Sequence, residues 1–158
     1  MRKKNKWLKH GILLIVVLIG SGMILLSSYV LQYDKQLMAY QNSLTQLPEV
    51  SEVLEISEYY GKDSYYVAKV LLTTDKEYYY FIKDNTVEYS YPVEELITGE
   101  QAAQKSLSIL GQGEIKHYYL GIYEEKPIYE VLISLGNEEY YFIIDAKTSD
   151  VLLQYSLK

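Results

Sequence analysis

Twenty-three consecutive residues without a charge, Gly11 to Tyr33, constrain this chain more than any other stretch: GILLIVVLIGSGMILLSSYVLQY. As a helix rising 1.5 Å per residue they span roughly 35 Å, enough to cross a hydrocarbon core about 30 Å thick. Eleven Leu, Ile and Val side chains lie between Ile12 and Leu26. At ~0.3–0.6 kcal/mol each they favour insertion by roughly 3–7 kcal/mol. Gly20, Ser21 and Gly22 interrupt the run, and small residues are tolerated in membrane helices. The stretch reads as a transmembrane helix, 11–33, behind a basic segment, 1–10. Arg2, Lys3, Lys4, Lys6 and Lys9 precede the span, whereas all 21 acidic residues follow it against ten lysines. The positive-inside bias then puts residues 1–10 in the cytoplasm and residues 34–158 outside. Trp7, Tyr29 and Tyr33 stand where interfacial aromatics belong. The alternative is a cleaved signal peptide; against it, the apolar run exceeds the usual 7–15 residues and no A-x-A site follows.

The tail beyond the span is acidic, which argues against nucleic acid as a partner. The chain has no cysteine, so it carries neither a disulfide framework nor a lipid-modified cysteine anchor. Tyrosine is its unusual residue: there are nineteen, many in pairs such as Tyr59-Tyr60, Tyr65-Tyr66, Tyr118-Tyr119 and Tyr140-Tyr141. Aromatic residues favour strands, so a β-rich tail is expected.

In chain order, Asp34–Leu47 reads as a helix with Leu37, Leu44 and Leu47 at helical spacing, ended by Pro48. No breaker separates it from the span, which leaves one continuous helix open. Four short strands follow, Val53–Tyr60, Tyr65–Thr73, Glu77–Lys83 and Val87–Tyr91, with turn residues between them. The pattern then restarts. Thr98 and Gln101 form a capping box for a helix over 99–110, with Ala103, Leu107 and Leu110 as its apolar stripe, Ala102, Ser106 and Ile109 beside it, and Gly111 at its C-terminal cap. Strands Ile115–Tyr123, Ile128–Leu135, Tyr140–Ile144 and Val151–Leu157 complete it, with Gly136-Asn137 as a hairpin turn. Val131 belongs to a wholly apolar strand face and is expected under the helix.

The halves are repeats of about 62 residues: EYYYFIKDNT at 77–86 lies over EYYFIIDAKT at 139–148. A unit of ~60 residues buries only about 60% of its unfolded surface, so the copies are expected to pack on each other. The fold class is α+β, with a first unit at 34–92 and a second at 93–158, each a helix on an antiparallel sheet.

The second half, from TGEQAAQKSL through PIYEVLISLGNEEYYFIIDAKTSDVL, resembles a PepSY domain: a capped helix with paired alanines, a "pvyev" strand and a strand ending in "DakTG". Those motifs fall on Glu100–Ala103, Pro127–Val131 and Asp145–Ser149, and the family's Gly after the Thr is Ser149 here. The whole chain resembles the YpmB/TseB-like family of Gram-positive bacteria, with a basic N-terminus, one span and two PepSY-like (cystatin-like) units. That resemblance implies an extracytoplasmic, non-enzymatic regulator of cell wall elongation that binds a penicillin-binding transpeptidase or another cell wall synthesis protein. It brings no catalytic, cofactor-binding or metal-binding residues, and none are assigned. The alternative is a PepSY-type protease inhibitor or chaperone-like module at the cell surface.

The residues themselves offer little chemistry. Of two histidines, His10 sits at the membrane edge and His117 in an alternating strand; a Ser–His pair through His117 stays open, but no nucleophile elbow exists. Zinc would need more His or Cys, and no calcium-loop spacing occurs. Glu94-Glu95, Glu124-Glu125 and Glu138-Glu139 read as solvated pairs in turns or before the second helix. Along Tyr78–Ile82, Tyr78, Tyr80 and Ile82 share one strand face and Tyr79 and Phe81 the other. One face must be internal; the other either exposes an aromatic row for glycan or protein, or is covered by the sister repeat. The covered arrangement is the expectation.

Overall fold

The computed structural model describes residues 35–158 together with Ile19 and Ser21. The predicted span 11–33, apart from those two helical residues, and the basic segment 1–10 lie outside the described residues. Among the described residues no helix is long and apolar enough to cross a membrane. The chain divides into two units, Met1–Tyr40 and Gln41–Lys158. Helix α1 covers residues 35–44 of those described, and turn residues follow through Glu49 around Pro48.

Eight strands follow: β1 (Val50–Tyr60), β2 (Ser64–Leu72), β3 (Glu77–Lys83), β4 (Thr86–Pro92), β5 (Glu114–Tyr123), β6 (Lys126–Leu135), β7 (Glu138–Asp145) and β8 (Val151–Leu157). They form two antiparallel meanders, β1-β2-β3-β4 and β5-β6-β7-β8. A short 3-10 turn, Val93–Glu95, and helix α2, Gly99–Leu110, join them. This is the predicted succession, and the strands differ from expectation only by a few terminal residues.

Helix α2 starts where its capping box dictates. Gln101 N–H donates to Thr98 Oγ1 at 3.1 Å, and Thr98 N–H donates to Gln101 Oε1 at 2.7 Å. Gly111, left-handed at φ 77, ends it by donating to Leu107 O. The face that α2 buries takes in the expected stripe and is centred on its small residues. Ala102, Ala103 and Ser106 are fully buried, Leu107 and Leu110 only partly, and Ile109 is exposed. Small side chains let the helix axis approach the sheet, so the larger ones lie at the flanks. Ser106 Oγ donates to Ala102 O at 2.9 Å and so carries no unpaired polar group into the core. Beneath the helix lie Tyr129, Val131, Ile133, Phe142 and Ile144. Val131 is fully buried there, as its strand face predicted.

The repeat is exact enough to set faces. Val131 pairs with Phe142 as Ala68 pairs with Tyr80. Ala68, Val70, Tyr80 and Ile82 are likewise buried, as is Leu44 in the last turn of α1. A second core joins the two sheets: Tyr59, Tyr65, Val67 and Phe81 from the first meet Ile122, Ile128 and Ile143 from the second. The copies therefore pack on each other. Tyr80 and Ile82 on one face of β3 and Phe81 on the other are buried, with Tyr79 partly so, and the covered arrangement holds for this strand.

Candidate functional site on the open face of the second sheet

The second sheet turns one face to α2. Its other face meets the first sheet over only part of its area. On that face the ladder sets His117 opposite Leu132, Leu132 opposite Tyr141, and Tyr141 opposite Tyr155, and Leu132 itself is buried. In the neighbouring row Tyr119, Glu130, Ile143 and Leu153 stand across the four strands, with Ile143 itself inside the inter-sheet core. The Tyr141 and Tyr155 rings stack at 5.1 Å with 3° between their planes, and His117 lies 4.7 Å from Tyr119. Tyr119 and Tyr155 are 47% and 41% exposed, too much for rings that serve only the core. The exposed aromatic rings on this face are thus Tyr119 on β5 and Tyr155 on β8, with Tyr141 half-buried against Tyr155, and not those of Tyr78–Ile82.

Glu130 stands at the border of this surface, where Tyr59 of the first sheet partly covers it. Its counterpart in the first repeat is Val67: Val67 pairs with Phe81, and Glu130 pairs with Ile143. Val67 is buried in the inter-sheet core, so the second sheet has a carboxyl where the first has an isopropyl group. Burial raises the Glu130 carboxyl above its ordinary range, while the Tyr59 hydroxyl and His117 pull the other way. Tyr59 Oη donates to Glu130 Oε2 at a long 3.4 Å. Burial, then the Glu130 charge, raises the Tyr59 hydroxyl too, so it stays protonated and remains a donor at neutral pH. The Tyr59 ring fits only because residue 121 is glycine: a Cβ there would lie 2.4 Å from the ring carbons.

A rigid platform of stacked rings around a half-buried acceptor suits binding to a sugar face, a cationic group or a protein side chain. Among the described residues no serine hydroxyl is hydrogen-bonded to His117, and no three His, Asp or Glu side chains group as a metal site would require. The acidic pairs are dispersed. Glu94 and Glu95 occupy the 3-10 turn, and Glu124 and Glu125 a tight turn at φ 48 and 63. Glu138 and Glu139 begin β7 and so lie in a strand, not in a turn; Glu138 accepts from Tyr140 Oη at 2.6 Å. An open depression of about 270 Å³ lined by Asp75, Lys76, Glu77, Pro92, Val93 and Glu94 holds no nucleophile with a base beside it. Sequence reasoning did not single out Glu130, Tyr141 or Tyr155. The available signal was the repeat, which sets a glutamate against a valine.

The DakT motif has a structural task beside this face. Asp145 Oδ1 accepts from Lys147 N at 2.8 Å and Thr148 N at 3.0 Å, closing the β7–β8 turn. Ala146 O then accepts from Ile97 N, and Lys147 reaches Glu95 at 3.1 Å and the Tyr91 ring at 4.9 Å. The motif ties the second sheet to the segment arriving from the first.

The class defined by these features is an α+β protein of two tandem four-stranded meanders with an open aromatic face. No protein-family model matches the chain, and no curated protein matches it. Among solved structures it is similar to the YpmB protein from Bacillus subtilis, at TM-score 0.65 and 18% identity over 76% of this chain and 96% of that one. A candidate lipoprotein from Clostridium difficile 630 aligns at TM-score 0.42 and 16% identity over 79% of this chain and 92% of that one. The first of these is a likeness of fold.

Proposed function

We propose that this chain is a membrane-anchored, extracytoplasmic regulator of cell wall elongation that acts by binding a penicillin-binding transpeptidase and performs no chemistry itself. The observation that carries the reading is the open face of the second sheet, where Tyr119, Tyr141 and Tyr155 stand on rigid strands around Glu130. Rigid aromatics lose little conformational entropy on binding, and tyrosine is enriched among the few residues that carry most of the energy of protein interfaces. The uncharged stretch 11–33 and its basic flank support the location, and the fold likeness to the YpmB protein agrees with the family resemblance that the sequence carries. A tether raises the effective concentration of a weak interaction, so a modest surface suffices.

In vivo crosslinking of the full-length chain tests this reading. The chain is expected to capture a transpeptidase, and the variant Tyr119→Ala/Tyr141→Ala/Tyr155→Ala should lose that capture while keeping its urea unfolding midpoint. Capture undiminished by the triple substitution would remove the aromatic face from the reading. Capture of glycan strands alone would remove the transpeptidase.

A further inference from the structure

The four sheet edges differ in one respect. Strand β1 carries Glu52, Glu55 and Glu58, β4 carries Glu88 and ends on Pro92, and β5 carries Glu114 and Lys116. Charges and proline on an edge hinder the addition of a further strand. Strand β8 has neither: it reads VLLQYSL, and every residue in it is exposed. It is last in its sheet, so the outward backbone groups of this uncharged strand have no ladder partner among the described residues. One bulge, at Leu152, interrupts it, and the ladder from Leu153 to Leu157 is regular.

The ends of β8 identify its occupant. Asp150 precedes it and Lys158 follows it, and neither forms an ion pair among the described residues. An antiparallel pairing of two β8 strands about a two-fold axis at Gln154 places Leu153 opposite Tyr155, Leu152 opposite Ser156 and Val151 opposite Leu157. The same register brings Asp150 of each strand beside the Leu157–Lys158 end of the other, offset by the one-residue shift at the Leu152 bulge and within reach of the long Lys158 side chain. Parallel pairing would set Asp150 beside Asp150 and Lys158 beside Lys158. Centring an antiparallel pair on Leu153 or Tyr155 would take the charges out of register. We propose that a second copy of this chain docks on β8 in the Gln154-centred register, joining the two second sheets into one of eight strands. The inference is independent of the proposed partner on the aromatic face.

The absence of cysteine makes the test direct. Residues opposite each other in an antiparallel pair have Cα atoms about 4.5–5.5 Å apart, within the range that a disulfide bridges. Gln154→Cys in the full-length chain should form a disulfide-linked dimer under mild oxidation, whereas Glu124→Cys, in a distant turn, should not. Asp150→Lys in the Gln154→Cys background should slow crosslinking several-fold, and adding Lys158→Asp should restore it. A Gln154→Cys chain that crosslinks no faster than the Glu124→Cys control overturns the proposal. So does a charge reversal without effect, or a disulfide to a different protein in place of a second copy.

Discussion

Glu130 shows how one side chain can depart from its repeat and mark a surface. Where the first sheet seals its core with Val67, the second holds a carboxyl whose acidity burial weakens. A carboxyl with a raised folded-state pKa favours the folded state most below the ordinary carboxylate range. That contribution is lost as pH rises through the folded value, so the ionised group opposes folding at neutral pH. Glu130→Gln keeps an oxygen to accept from Tyr59 and removes the charge. The variant should therefore be more stable than the parent at pH 7, and the gain should vanish as the pH falls below about 4, where the unfolded carboxyl is also protonated. Urea unfolding across that range checks it. A destabilised variant at pH 7 would mean that the charge is satisfied and that the geometry around Tyr59 has been misread.

At the scale of elements, the turn between β7 and β8 combines a sequence motif with a backbone demand. Ser149 sits at φ 65, a left-handed conformation that costs an L-residue roughly 1 kcal/mol or more. The resembled family places Gly at this position. Ser149→Gly should raise the unfolding free energy by about 1 kcal/mol, less a few tenths for the greater freedom of glycine in the unfolded chain. A denaturation midpoint that fails to rise would show that the Ser149 side chain contributes contacts outweighing its strain. The element boundaries of this half were legible because they rest on local chemistry: Thr98 and Gln101 fix the start of α2, and Gly111 its end. The buried sector of α2 was less legible. Periodicity put Ala103 in the stripe and Ala102, Ser106 and Ile109 beside it, but of those flanking residues the sheet takes only Ala102 and Ser106, whose small side chains permit close approach, and leaves Ile109 exposed. Val131 was legible because an unbroken apolar strand face has one place to go. The open aromatic face was not legible. Which half of a sheet face stays uncovered depends on how two sheets meet, and no local pattern encodes that.

At the scale of the unit Gln41–Lys158, the contact between the sheets decides what is left open. Tyr59 is the wedge: it comes from the first sheet, is 3% exposed, and lies over Gly121 in the second with its hydroxyl toward Glu130. Each meander alone is too small to bury much apolar surface, so this joint is part of the stability of both. It also holds Glu130 half-covered at the border of the aromatic face, linking the packing of the sheets to the proposed binding surface. Substitution at Gly121 tests the joint. Gly121→Ala puts a methyl group into the Tyr59 ring, an overpacking that typically costs 1–3 kcal/mol. Tyr59→Ala removes the ring and leaves a cavity whose cost should be about 3–5 kcal/mol, near that of other buried aromatics. In the double variant the added methyl occupies space that the ring has vacated, so Gly121→Ala should cost little or nothing in that background. The coupling from the double-mutant cycle should then exceed about 1 kcal/mol in the compensating sense, as expected for residues in direct contact. Additive effects would place the ring elsewhere in solution and would uncouple Glu130, and the surface around it, from the packing of the two sheets.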